Sequence, residues 1–246
     1  MNEALRYHER VEAYHTIQNP MSPEKLDRLI EYLELRDGDR LVDVGSGKGW
    51  LLHRIASRHA VRAVGLDPNA VFVADARRRL AETPLKGSVE IIEGPAQAYA
   101  APDDAFDVAL CIGATFAFGG LGETAAWMAR VTQPGGRIAI GEPFAKQPFP
   151  PAVAKRWAEY DRTLPELVEV IAAAGFAPTG VIASSEADWD HYESPHWRAG
   201  LAWLNANPGH PDAAAFRRRL DDERRAYLTE ERGVFGWAIV VAERAR

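Results

Sequence analysis

Five short apolar runs alternating with helical patterns constrain this chain more than any other feature. They read LVDVG from Leu41, RAVGLD from Arg62, VEIIEG from Val89, FDVALCIG from Phe106 and RIAIGE from Arg137. Between them, helical patterns fall around Leu51–Ser57, Val71–Leu80 and Glu123–Val131. Such alternation means a parallel sheet with right-handed crossovers and helices on both faces. Ahead of the first strand, Ser22-Pro23-Glu24 is a helix start: a cap, a proline at the first helical position and an acid in the first turn. Leu26, Leu29, Ile30 and Leu33 then share a face, and Asp37-Gly38 closes the element.

The rhythm breaks from Phe144 to Leu164, where four prolines lie between Pro143 and Pro151 counted inclusively. Leu164–Ala174 reads as a helix closed by Gly175, FAPTGVIASS as a sixth strand, and VFGWAIVVA as a final one after a helical region rich in Trp and Arg. In that region Arg217–Asp221, Arg218–Asp222 and Arg219–Glu223 pair at helical spacing, the mark of a solvated face.

The chain has 246 residues, 47% of them hydrophobic, enough for a substantial core in one domain. A net charge of −6 and a pI near 5.7 argue against a general nucleic-acid binder, which would show a basic face. A single cysteine, Cys111, excludes an internal disulfide and fits a reducing cytosol. The opening MNEALRYHER lacks the apolar core of a signal peptide, and Val234–Ala242 is too short to cross a bilayer. The expectation is a soluble, cytoplasmic protein with no membrane partner.

The segment RLVDVGSGKGWLLHRIA joins the first strand to the next helix through Gly45, Gly47 and Gly49. A strand, a glycine loop and a helix make a site where an anion or nucleotide can approach the backbone. A phosphate-cradling P-loop needs Ser or Thr after Gly-Lys, and here Gly49 and Trp50 follow Lys48. The dinucleotide fingerprint places its third glycine one position later. The remaining candidate, the S-adenosylmethionine (SAM) motif acid-x-G-x-G-x-G, matches Asp43-Val44-Gly45-Ser46-Gly47-Lys48-Gly49 at every fixed position. Asp67 ends the second strand about twenty residues past the loop, where an acid can accept from both ribose hydroxyls. The alternative for Asp67-Pro68-Asn69 is a helix cap alone.

On these residues, with FDVALCIGA for the fourth strand and VTQPGGRIAIGEP for the fifth, the chain resembles the class I SAM-dependent methyltransferases. It looks most like their small-molecule branch, similar to the ubiquinone/menaquinone-biosynthesis methyltransferases. The resemblance implies a doubly wound, Rossmann-like α/β fold whose seven-stranded sheet has order 3-2-1-4-5-7-6 and an antiparallel last strand. It implies one domain over 1–246, with an N-terminal arm (1–36) and segments 144–165 and 185–230 as a lid. SAM is the implied cofactor, held by Asp43, Gly45, Ser46, Gly47, Asp67, Pro68 and Asn69. Ile112 and Gly113 are expected under the sulfonium. Where the family commonly has an acid for the adenine amino group, Pro95 stands here, so the adenine falls to Ala96 and Gln97.

The expected function is methyl transfer to a small organic acceptor; the alternative is a SAM-binding sensor or partner subunit without activity. CIGATFAFGG at the end of strand four differs from the Asn/Asp-Pro-Pro-aromatic pattern of nucleic-acid amine methylases. Two groups are candidate catalytic residues. His15 lies in the arm, with a surface histidine as its alternative. Glu142 precedes Pro143, which favours an extended backbone pointing out of the sheet, with a structural acid as its alternative. Trp189, Tyr192 and Trp197 are read as pocket wall or as core, and Cys111 as a buried small hydrophobe. The seven histidines show no ligand pair at i+4 spacing, so no metal is expected.

Overall fold

The order of the strands across the sheet decides where a ligand can sit. In the computed structural model, which describes residues 3–246, the strands are β1 (Arg40–Val44), β2 (Arg62–Asp67), β3 (Ser88–Glu93), β4 (Phe106–Ile112), β5 (Thr132–Ala145), β6 (Phe176–Ala183) and β7 (Phe235–Arg244). They form one sheet in the order β3-β2-β1-β4-β5-β7-β6. β7 runs antiparallel to both its neighbours, and the β3-to-β5 ladders are parallel. The order reverses between β1 and β4, which opens a crevice beyond their carboxyl ends.

Both faces of the sheet are covered. Leu41, Leu110 and Ile239 point to one side, where they meet α2 (Pro23–Tyr32), α3 (Trp50–Arg58) and α4 (Ala70–Glu82) through Leu29, Leu52, Ile55 and Val73. Val42, Val44, Cys111, Ile140 and Val240 point to the other side, against Met128 of α5 (Leu121–Val131) and Leu167 and Ile171 of α7 (Leu164–Ala173). Neighbours in sequence alternate between the two clusters because successive side chains of a strand face opposite ways. Cys111 is fully buried as a small core residue, and burial pushes its thiol pKa up.

The remaining helices gather at the carboxyl ends of the strands. α1 (Glu3–Val11), α8 (Glu186–Ala206) and α9 (Ala213–Ala226) share an apolar cluster of Tyr7, Val11, Leu204, Phe216 and Leu220. α6 (Pro151–Trp157) packs Val153 with Phe149 and Phe235 beside them. α8 begins with a capping box between Ser185 and Asp188, and α7 with one between Thr163 and Glu166. No helix among the described residues is long and apolar enough to cross a membrane.

Two boundaries differ from the sequence expectation. The first core helix stops at Tyr32 rather than at Asp37-Gly38, because Glu34 turns to a left-handed φ of 44° and the chain doubles back toward β1. β5 runs on through Pro143 to Ala145, paired with β7. Pro143 is tolerated there because it lies past the last β4–β5 pair, Ile112 with Gly141, so one side of the strand has no ladder to break. The arginine run of α9 keeps its expected solvated face. Arg219 pairs with Glu223 as expected and Arg224 and Arg225 reach back to Asp221 and Asp222, while Arg217, Arg218 and Arg219 are all exposed.

Gly49 shows how tightly the first crossover is packed. Its φ is 69°, and a Cβ there would meet the Ala76 Cβ at 2.9 Å and Cα at 3.2 Å. Left-handed strain and the collision with α4 add, so Gly49→Ala is expected to cost about 1–3 kcal/mol of stability. Urea denaturation with the slope held constant measures it.

Candidate active site

Two cavities meet at the carboxyl ends of the central strands. The smaller, about 630 Å³, is lined by Asp43, Gly45, Ser46, Gly47, Asp67, Pro68, Asn69, Ala96, Gln97, Ile112 and Gly113, so it gathers every residue the sequence assigned to the cofactor. Its size lies within the ~300–1,000 Å³ typical of small-molecule sites. The larger, about 920 Å³, lies under α8 and α9. His8, Gln18, Asn19, Gly113, Phe116 and Tyr192 wall both.

The loop after β1 shapes the smaller cavity. Gly45 and Ser46 donate their N–H groups to the Leu66 carbonyl, which draws the loop across the end of β2. Asp67 accepts from Gly47 N at 2.9 Å and from Asn69 N at 2.8 Å. The helix cap that follows is Asn69, whose side-chain oxygen accepts from Val71 and Phe72 N–H. Asp67 is therefore not spent as the cap of α4, and its carboxyl stays on the cavity wall.

Two buried carboxylates face this cavity, and no salt bridge to either exists among the described residues. Burial, reinforced by the charge of Asp67, pushes Asp43 up to about 8. Burial also raises Asp67, against the lowering effect of its two backbone hydrogen bonds. Two buried carboxyls with no cation opposite them, set in apolar walls, fit a ligand that brings a sulfonium and an ammonium, beside which both would ionise.

The sequence reading missed what Lys48 and Gln18 do. Lys48 is buried, and its Nζ donates to the carbonyls of Glu12 at 2.7 Å and His15 at 3.0 Å. Its own N–H donates to Gln18 Oε1 at 2.8 Å. A Cβ on Gly47 would strike that same Gln18 oxygen at 2.3 Å, so this glycine makes room for the arm. A buried-side lysine between two loop glycines was the available signal.

Glu142 lies at the tip of β5 on the wall of the larger cavity. It is 3% exposed, and Thr115 Oγ1 donates to its Oε1 at 2.7 Å. Burial raises it to about 7, with the Thr115 hydrogen bond and the Arg162 charge pulling the other way. Trp157, Tyr160, Trp189, Tyr192, Phe235 and Trp237 add aromatic wall around it. Trp197 does not reach the cavity; it packs in the α1–α8–α9 cluster and 6.0 Å from the Tyr227 ring.

His15 sits elsewhere. It is 7% exposed, which removes the surface-histidine alternative, yet it lines neither cavity. Its Nε2 lies 2.7 Å from the Tyr192 carbonyl oxygen, and its Nδ1 faces Glu12 at 3.3 Å. Burial holds its pKa below the ordinary histidine value. Sequence position in the arm pointed toward the site; the ring turns away from it into α8.

A doubly wound sheet of this order, with a glycine loop after β1 and an open carboxylate after β2, is the class I SAM-dependent methyltransferase architecture. Residues 41–136 match the family described as "Methyltransferase domain". A SAM-dependent methyltransferase from Geobacter sulfurreducens, solved in complex with S-adenosyl-L-homocysteine, is 34% identical, with a TM-score of 0.88 over 96% of this chain and 97% of that one. The protein YjhP of Escherichia coli is 34% identical over 233 residues, which span 93% of this chain and 94% of that protein. The 27-O-demethylrifamycin SV methyltransferase of Amycolatopsis mediterranei is 29% identical over 175 residues, or 70% of this chain and 64% of that one. This chain belongs to the class I SAM-dependent methyltransferases, and S-adenosylmethionine is its cofactor.

The raised Asp43 gives a pH signature. Below its pKa of about 8 the carboxyl is protonated in the unliganded protein and offers no charge to the ligand's ammonium. Affinity for S-adenosylhomocysteine is expected to rise from pH 6 toward pH ~8 and then level, by up to about tenfold per pH unit. Calorimetry across that range should show the rise in the wild type and a flat profile in Asp43→Asn.

Proposed function

We propose that this methyltransferase acts on a small organic acceptor seated in the larger cavity, with Glu142 removing the acceptor's proton. The observation that carries the reading is Glu142 itself: a buried carboxyl poised at about 7 on the wall of an aromatic cavity that opens onto the cofactor cavity at Gly113 and Phe116. A general base works best when its pKa lies near the operating pH. The net charge of −6 argues against nucleic acid as acceptor. Similarity to a methyltransferase named for 27-O-demethylrifamycin SV supports a small molecule.

In this reading Asp67, Pro68 and Asn69 receive the ribose, and Asp43, Gly45, Ser46 and Gly47 the methionyl end. Ala96 and Gln97 bound the adenine, and Ile112 and Gly113 lie under the sulfur. The bound cofactor supplies an electrophilic methyl group on a cationic sulfur. Aromatic walls hold the acceptor's nucleophilic atom in line with that methyl group, an entropic advantage of ~7 kcal/mol or more in favourable intramolecular cases. Thr115 occupies Glu142 Oε1, which leaves Oε2 to take the proton as the acceptor loses it. The arm ahead of α2, together with segments 144–165 and 185–230, acts as the lid that keeps water out, while α2 itself belongs to the core. His15 serves this scheme by holding the arm to α8 through the Tyr192 carbonyl.

The test uses isotopically labelled SAM with a panel of small phenols, carboxylic acids and amines. With an accepted substrate, turnover should rise with pH through about 7, because Glu142 must be ionised to act. Glu142→Gln should lower turnover by about 10²-fold or more, abolish that rise and leave S-adenosylhomocysteine affinity unchanged. A wild-type chain that binds S-adenosylhomocysteine but methylates nothing in the panel would favour a SAM-binding sensor.

A further inference from the structure

The arm and α8 bring together three side chains that proton removal and methyl transfer do not use. Glu12 and His15 flank the 3₁₀ turn Glu12–Tyr14, and His196 projects from α8. Their ligating atoms all lie within 4.8 Å of one another. Glu12 is fully buried, and Glu12 and His196 reach the wall of the larger cavity.

The contact between Glu12 and His15 is unresolved as it stands. A carbonyl oxygen only accepts, so His15 Nε2, 2.7 Å from Tyr192 O, carries its hydrogen. The neutral ring then turns the Nδ1 lone pair toward Glu12 Oε2, 3.3 Å away. Neither atom has a hydrogen-bond partner, and both are buried. Two lone pairs facing each other out of water are costly unless something positive lies between them.

We propose that Glu12 Oε2, His15 Nδ1 and a ring nitrogen of His196 bind a divalent transition cation of the zinc type, which ties the arm to α8. Bonds of about 2.0–2.1 Å to imidazole nitrogen and about 2.0–2.2 Å to carboxylate oxygen, at a tetrahedral angle, place those two atoms about 3.3–3.5 Å apart. The observed separation is 3.3 Å. Two imidazoles and one carboxylate are a donor set that favours zinc over magnesium or calcium. Outer partners are also in place. His15 donates its other ring N–H to a main-chain carbonyl, and the Tyr192 hydroxyl donates to Glu12 Oε1 at 3.0 Å, so each ligand is oriented. His196 Nε2, now 3.0 Å from Glu12 Oε1, exchanges that contact for the cation. Sequence spacing hides this site because its ligands come from segments about 180 residues apart.

The full-length chain, stripped with a chelator and dialysed, is titrated with Zn²⁺ and separately with Co²⁺. One equivalent of Zn²⁺ per chain, a raised melting temperature and the visible bands of four-coordinate Co²⁺ are expected. His196→Ala and Glu12→Gln should each lose the stoichiometric metal and the Co²⁺ bands, while His191→Ala, an exposed histidine on the same helix, should keep both. S-adenosylhomocysteine calorimetry reports whether each variant is folded, and the wild-type Co²⁺ spectrum decides independently of them. A wild type that takes up no stoichiometric metal, or folded variants that bind it as the wild type does, would overturn the site and leave a proton on His15 Nδ1 as the occupant.

Discussion

The ammonium of Lys48, held by the carbonyls of Glu12 and His15, joins the cofactor loop to the arm. Burying a lysine is costly unless its donors are met, and here main-chain oxygens meet them. Burial lowers its pKa nonetheless, with Asp75 and Glu12 opposing the shift. The same residue accepts Arg79 Nε at its carbonyl and lies 5.6 Å from the Phe72 ring, so α4 is tied in as well. Loop, arm and α4 are thus tied together through one residue. The arm residues His8, Gln18 and Asn19 become part of the cofactor cavity because this lysine draws the arm over it.

Electrostatics divides the two cavities. The cofactor cavity keeps Asp43 and Asp67 without a cationic partner, both raised by burial, so a cationic ligand is what would draw them to ionise. The larger cavity keeps one acid, Glu142, near neutrality, where it can exchange a proton. Its other charged groups are largely paired with one another: Arg156 with Glu231 at 2.8 Å and Arg219 with Glu223 at 2.8 Å. That pairing spends their charge on holding the roof together. Aromatic surface is what remains for an acceptor to touch.

The roof over the larger cavity is helical and anchored from several sides. Tyr7 of α1 packs 5.0 Å from the Phe216 ring of α9 and donates to Glu223 at 2.6 Å. Tyr227, in the π turn after α9, donates to Asp190 of α8, which also holds Arg232 in a bidentate pair. Trp157 from α6 donates to Glu231 of that π turn. Each anchor joins segments far apart in the chain, so the cavity exists only when all of them have docked.

The sheet and the SAM motif were legible in the sequence because they are local. Apolar runs, helical spacing, the acid before the glycine loop and the acid at the end of the next strand lie within short windows whose geometry is set by backbone chemistry. Glu142 was legible for the same reason, at a strand tip marked by Pro143. His15 was noticed, but its direction was not readable: its ring turns on contacts with Tyr192 and His196 far along the chain. Trp197 was legible only as wall or core, since helical periodicity tells which face is apolar and not which neighbour covers it. By itself the sequence determined the doubly wound sheet and the SAM motif that follows its first strand. Only the tertiary structure decided how the arm packs, which aromatics wall the larger cavity and where Glu12 meets two histidines, because those contacts join residues whose separation in sequence carries no geometric information.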